Sequence, residues 1–239
     1  MPSTLVIAKR ELAGLFYSPV AYLVLAVFAF VTALFFWPLL SPGQLASMRS
    51  MMSTTVWLMV FVVPALSMRS FAEEVRTGSI ELLMTSPVSD AQLVVGKWLG
   101  SLVFLVVLLL PMVLQAVVMG VFSDPDWGPI ATGLVGLALV GGLYLAIGVF
   151  VSALTGSQLI ALLITILITG LLTIGLYALS GAQWLPTWLR PAVVYLNVDQ
   201  QYRDFAKGLI DTSNFVYFVS LAGLFLFLAV RAVESRRWR

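Results

Sequence analysis

Six long apolar runs govern what this chain can fold into, at roughly residues 19 to 40, 54 to 68, 99 to 122, 129 to 154, 158 to 180 and 214 to 233. Crossing a hydrocarbon slab of about 30 Å takes roughly 20 apolar residues of helix. Inside that slab every backbone N–H and C=O has to be paired within the protein, because lipid offers no partner. The runs are too long and too uniformly apolar for the alternating segments of about 10 residues that build membrane barrels. They read as transmembrane helices, and the chain as an all-α integral membrane protein. The second run is the shortest, and it spans only if Ser53, Thr54 and the residues after Leu66 are helical too.

Composition agrees: 61% of the 239 residues are hydrophobic and 10% are charged, and the mean hydropathy is +1.04. The 13 Lys and Arg residues gather at the ends of the runs, so the formal charge of +2 is a topology signal; no basic patch for nucleic acid is present. One set of connections holds nine of them, Lys9, Arg10, Arg69, Arg76, Lys97, Arg231, Arg236, Arg237 and Arg239, and the other holds Arg49, Arg190, Arg203 and Lys207. The positive-inside rule then puts both termini in the cytoplasm. With no cysteine and no histidine, disulfides, thiol chemistry and the usual zinc or haem ligation are excluded, which argues against metal catalysis. Lys9 and Arg10 precede an apolar run longer than a signal-peptide core, with no A-x-A-like site after it, so the first span is expected to be retained.

Charge otherwise concentrates in one island, Met68 to Trp98, holding Arg69, Glu73, Glu74, Arg76, Glu81, Asp90 and Lys97. Ser67 to Arg76 is expected to continue the second span as an amphipathic helix, with Arg69, Glu73 and Arg76 on one face and Phe71 and Val75 on another. Gly78 breaks it. A two-turn helix, Ser79 to Met84, is stopped by Thr85-Ser86-Pro87. Helices of two turns are not stable alone in water, so its apolar residues either dock on another protein or lie in the headgroup region. Ser89 with Gln92 makes a capping box for the next helix, where Lys97 and Trp98 read as a snorkelling interfacial pair at the start of the third span. Near the N-terminus, Leu5, Ala8, Leu12 and Leu15 share a helical face while Lys9, Arg10 and Glu11 lie elsewhere, before Ser18-Pro19 opens the first span. This reads as an interfacial helix, or as the frayed start of that span.

The island resembles the permease subunit of type-2 ABC exporters, the ABC-2 type, and most closely its gliding-motility-associated subgroup. The resemblance rests on Phe71-Ala72-Glu73-Glu74-Val75-Arg76-Thr77-Gly78-Ser79-Ile80-Glu81-Leu82-Leu83, on Thr85-Ser86-Pro87-Val88-Ser89 and Gly96-Lys97, and on Ala8-Lys9-Arg10-Glu11-Leu12 with Ser18-Pro19. It extends to chain length and the six-span layout. It implies a single transmembrane permease domain over residues 1–239, with an interfacial helix at 1–18, a cytoplasmic coupling region at 69–98 and an outer-side interfacial segment at 181–213. It also implies a second permease copy or a homologous permease, and a cytoplasmic ATPase touched by Glu73, Arg76, Gly78, Ser79, Glu81 and Leu82. Lys9, Arg10 and Glu11 would belong to the connecting helix. ATP and Mg would sit on the partner, with no cofactor on this chain; the sequence agrees in that no G-x-x-x-x-G-K-[ST] motif occurs.

Residues 181–213 carry Trp184, Trp188, Tyr195 and Tyr202 among several prolines. They form either an outer gate, as the resemblance implies, or an aromatic belt anchoring two spans. Gly133, Gly136, Gly141, Gly142 and Gly148 in the fourth run, with Gly170 and Gly175 in the fifth, are expected to serve close internal packing. Pro38, Pro64 and Pro111 are candidate kinks. No run carries a central ionisable residue, which disfavours proton coupling and suits a transporter driven from outside the membrane or, as alternatives, a membrane scaffold or a secondary carrier. The apolar interiors suit an amphipathic cargo.

Overall fold

A computed structural model describes residues 3–40, 47–78, 88–183 and 185–236, and among them every regular element is helical. An N-terminal helix α1 (Ser3–Tyr17) precedes α2 (Pro19–Phe36), which ends in the 3-10 turn Trp37–Leu40. Then come α3 (Arg49–Ser67), the short α4 (Ala72–Thr77), α5 (Asp90–Phe122) and α6 (Trp127–Leu154). The fifth span joins α7 (Gln158–Gly170), a π-helical segment Leu171–Gly175 and α8 (Leu176–Ser180). Two further helices, α9 (Arg190–Leu196) and α10 (Val198–Ala206), precede α11 (Thr212–Arg236).

Six of these segments are long and apolar enough to cross a membrane: Pro19–Leu40, Arg49–Thr77, Asp90–Phe122, Trp127–Leu154, Gln158–Ser180 and Thr212–Ser235. All six apolar runs therefore become spans, and an even number returns the chain to its starting side. We call that side, with α1, α4 and the ends of the chain, the terminal face; α9 and α10 lie on the opposite face. The third span starts earlier than its apolar run suggested. The capping box places its start at Asp90: Ser89 Oγ accepts from Gln92 N, and the Gln92 side chain accepts from Ser89 N. At about 1.5 Å per residue, the 33 residues of α5 reach about 50 Å, well beyond the hydrocarbon, so its first turns stand clear of the hydrocarbon core and are available to pack against α1.

The centre of the bundle is α6, whose most apolar window is 72% buried, against 17% for the first span and 22% for the fifth. Its glycines explain the position. A Cβ at Gly136 would lie 2.8 Å from Phe205 Cβ, and one at Gly133 2.6 Å from Met52 Sδ, while Gly148 has no room for a methyl against Ser67. The small residues of the fourth run therefore serve internal packing, drawing α3, α5, α10 and α11 onto one axis. Outside this core, Leu23, Phe30, Leu163, Leu167 and Phe227 are exposed, as lipid-facing positions should be. In the fifth span, Thr165, Thr169 and Thr173 form a buried ladder back-bonded along the helix, and Thr173 meets the Tyr144 hydroxyl.

The continuous amphipathic helix expected over Ser67 to Arg76 is broken. Helix α3, with Pro64 inside it, ends at Ser67, and the chain turns before α4 begins at Ala72. Ser152 of α6 accounts for the break: its hydroxyl accepts from Phe71 N and Ala72 N, both at 2.9 Å, and donates to Met68 O at 3.2 Å. Buried backbone groups need such partners, so one side chain fixes where the second span stops. The amphipathic sidedness survives within α4, where Phe71 at its N-cap is fully buried while Glu73 and Arg76 are exposed.

The N-terminal helix lies flush on α5. A Cβ at Gly96 would come within 2.8 Å of Ile7 Cβ, and one at Gly100 within 2.6 Å of the Ala8 carbonyl oxygen. The inward face of α1 is thus Thr4, Ile7, Ala8 and Glu11; Leu5, expected on the apolar face, is 55% exposed. Gly100→Val should lower the thermal midpoint in detergent by several degrees, since overpacking costs about 1–3 kcal/mol and each kcal/mol moves a chain of this size by about 2–4 °C. Gly223→Ala, where a Cβ meets nothing within 4 Å, should not. An unchanged midpoint in Gly100→Val would mean that α1 does not rest on α5.

Candidate functional site

The close contact of α1 with α5 brings a cation and two carboxylates together at the terminal face. Lys97, two turns into α5, is buried, with its side chain 5% exposed. Its Nζ donates to Glu11 Oε2 of α1 at 3.3 Å, to Glu74 Oε1 of α4 at 2.8 Å and to the Ser70 carbonyl at 2.5 Å. It also lies 4.9 Å from the centre of the Phe71 ring. An ammonium has three donors, and all three are used. Both carboxylates are largely covered, at 18% and 17% exposure. A single side chain therefore ties together α1, the α3–α4 turn, α4 and the third span.

Glu11 parts company with Lys9 and Arg10, with which the sequence places it off the apolar face. Lys9 and Arg10 are exposed, but Glu11 turns inward. Burial pushes its carboxyl above the usual range; the charge of Lys97 opposes this and that of Glu74 adds to it. Desolvation outweighs attraction at Glu11, and buried ion pairs in general specify an arrangement more than they add net stability. Lys97 and Trp98 are not the snorkelling pair that the sequence suggested. Lys97 is enclosed, and Trp98 Nε1 donates to the Gly142 carbonyl of α6 at 2.9 Å.

Around this cluster, Arg69 Nη1 donates to Ser18 Oγ at 2.7 Å, joining the α3–α4 turn to the start of the first span. Ser18 is the N-cap of α2, yet its side chain makes no capping bond. On the outward side of α4, Glu73 accepts from Gln158 Nε2 at 3.3 Å, which links α4 to the beginning of α7. Gly78 ends α4 with φ 73°, a left-handed conformation that glycine adopts without a Cβ penalty. Of the six residues assigned to the ATPase contact, Glu73 and Arg76 are exposed on α4, and Gly78, exposed too, ends it. Ser79, Glu81 and Leu82 fall outside the described residues.

On the opposite face, Asn197 caps α10 by accepting from Asp199 N and Gln200 N, and Tyr202 and Phe205 press into the glycine notches of α6. Tyr202 is fully buried and donates to the Gly133 carbonyl at 3.3 Å, so it belongs to the core and not to an exposed aromatic surface. Tyr195 is 51% exposed and packs edge-on to Tyr217, and Trp188 is 77% exposed. Trp184 lies outside the described residues. A buried carboxylate unremarked in the sequence, Asp199, accepts from Trp57 Nε1 at 3.1 Å and pairs with Arg203 at 3.0 Å, tying α10 to α3.

The buried Lys97 cluster had one faint signal in sequence, a lysine flanked by Gly96 and Gly100, which marks a helix face that another backbone approaches closely. Nothing in the sequence indicated that Glu11 and Glu74 would meet there.

A six-span helical bundle with an N-terminal helix laid on its third span and a short charged helix after its second is a multi-pass membrane protein organised around one face. Residues 18–233 match the family described as ABC-2 family transporter protein, and the chain belongs to that family. It is a membrane permease component of an ABC transporter. None of the curated proteins compared with it matches.

Removing the cation strands two buried carboxylates. Lys97→Met should cost about 3–5 kcal/mol, a fall in the detergent thermal midpoint on the order of 10 °C, and adding Glu11→Gln and Glu74→Gln should recover much of it. No recovery would show that the lysine acts by packing alone. The raised Glu11 pKa favours the folded state while the carboxyl is neutral. That contribution is present in acid and is lost as the pH climbs above the ordinary glutamate value of about 4.3. Wild type should therefore lose stability relative to Glu11→Gln as pH rises from 4 to 7; a constant difference would contradict the burial of Glu11.

Proposed function

We propose that this chain is the transmembrane half of an ATP-binding-cassette exporter. It contributes to the translocation path and is driven by a separate cytoplasmic ATPase, on which ATP and Mg are bound. A second copy or a homologous permease completes the membrane part, in a bacterial inner membrane with both termini cytoplasmic. The ATPase contacts the end of α4 and the residues after Gly78, Ser79, Glu81 and Leu82 among them. Within the family, we place it with the gliding-motility-associated permeases, on the resemblance of the charged island. Trp188 and Tyr195, exposed opposite the terminal face, are the residues we assign to an exit gate.

The observation that carries this reading is the Lys97 cluster. A short helix joined to the spans only by a loop would move without consequence. Here the same ammonium is bonded to α4, to the turn that ends the second span and to α1. Displacement of α4 by an ATPase would load the second and third spans and the N-terminal helix together. Because a buried ion pair regains little beyond the desolvation of its charges, the cluster's use is to fix relative position, which suits a mechanical joint.

The test is co-expression with candidate ABC ATPase subunits from the same genome, purification through a tag on the permease, and assay of vanadate-sensitive ATP hydrolysis. Stoichiometric co-elution is expected, and Glu81→Lys should abolish it or uncouple hydrolysis from transport. The triple variant Glu11→Leu, Glu74→Leu, Lys97→Met should keep its thermal midpoint, because well-packed apolar groups replace buried ions at little cost, yet lose coupled hydrolysis. A permease that elutes alone would favour the scaffold or secondary-carrier reading, and full coupling in the triple variant would remove the joint from the mechanism.

A further inference from the structure

Beside the Lys97 cluster the terminal face contains a pocket of about 460 Å³ between α1 and the α3–α4 turn. Its charged lining is balanced, with Arg10, Arg69 and Lys97 against Glu11, Glu73 and Glu74. Lys97 and Glu11 satisfy each other, but three buried polar atoms in the wall have no partner: Arg69 Nε, Ser70 Oγ and Glu74 Oε2. Ser70 is only 2% exposed. An orphaned cationic donor, a hydroxyl and an orphaned carboxylate oxygen in one wall form an arrangement that an incoming group bearing both an acceptor and a donor would complete. The pocket also borders Tyr17, Ser18 and Pro19, where the first span enters the membrane. This is headgroup depth.

We propose that the pocket binds a phospholipid headgroup carrying both a phosphate and a primary ammonium, as in phosphatidylethanolamine. The phosphate lies against Arg69 and Arg10 with Ser70 donating to it, and the ammonium lies against Glu74 and Glu73. The balanced lining selects a zwitterion: an anion alone would face three carboxylates, and a cation alone three cations. Glu74 Oε2 needs a hydrogen-bond donor, which a primary ammonium supplies and a quaternary one does not. The lipid so held would bridge α1 to α4. The proposal does not depend on the ATPase reading, because it concerns binding at a site that exists without a partner.

The full-length chain, purified into phosphatidylcholine nanodiscs, is exchanged with phosphatidylethanolamine or phosphatidylglycerol, and retained lipid is counted by native mass spectrometry alongside the thermal midpoint. Selective retention of phosphatidylethanolamine and a midpoint raised only by that lipid are expected. Ser70→Ala, which keeps the carbonyl bonded to Lys97, should weaken the retention several-fold without lowering the midpoint in phosphatidylcholine, and Arg69→Gln should abolish it. Soluble glycerophosphoethanolamine should compete, and inorganic phosphate at the same concentration should not. Equal retention of the three lipids, a preference unaltered in Ser70→Ala, or displacement by phosphate alone would each overturn the assignment. If Arg69→Gln does not fold, Ser70→Ala decides.

Discussion

A lysine ammonium withdrawn from water has to place three N–H donors and one positive charge, and at Lys97 the answer to that requirement organises the whole terminal face. Two carboxylates from separate helices and a backbone carbonyl from the turn between them fill the three positions. The geometry is possible only because Gly96 and Gly100 let α1 lie directly on α5. Substituting one partner leaves the others buried and unsatisfied, so the elements are bound to one relative placement even though buried ion pairs in general add little net stability.

The same economy appears at Ser152. One hydroxyl on the most buried helix accepts from Phe71 N and Ala72 N and donates to Met68 O, and so converts what the sequence offers as a continuing helix into a stop, a turn and a new start. The break frees α4 to point Glu73 and Arg76 outward, and Phe71 inward beneath Lys97. Helix α6 thereby takes part in defining the second span's end as well as filling the core. On the opposite face its glycine notches receive Tyr202 and Phe205, so both ends of the bundle are referred to the same central element.

This arrangement suits the transporter family to which the chain belongs. A permease driven from outside the membrane needs a surface that takes up a push and a body stiff enough to pass it on. The exposed end of α4 offers the first. The second is supplied by the cluster beneath it, by Glu73 bonded to Gln158 at the start of the fifth span, and by Arg69 bonded to Ser18 at the start of the first. The short helix is thus bonded directly to the third span through Glu74, to the fourth through Ala72 and to the fifth through Glu73, and the turn before it reaches the first through Arg69.

The six spans, their order, the end of α4 at Gly78 and the capping box at Ser89 were legible in the chain itself, because each depends on local chemistry: apolar length, a left-handed glycine, a serine three residues before a glutamine. The use of the fourth-run glycines for internal packing was legible for the same reason. Only the tertiary structure decided that Lys97 is enclosed and not snorkelling, that Glu11 turns inward while Lys9 and Arg10 do not, that Tyr202 is core, and that the helix expected to run on from Ser67 to Arg76 is broken before Ala72. Each of these depends on which backbone approaches which. A helical period places Glu11 on a face but does not say which face meets α5, and a serine at position 152 gives no sign that residues 71 and 72 will come to it. Local sequence sets what a segment is; the partners that bury its polar atoms come from elements tens of residues away, and those the sequence pattern does not name.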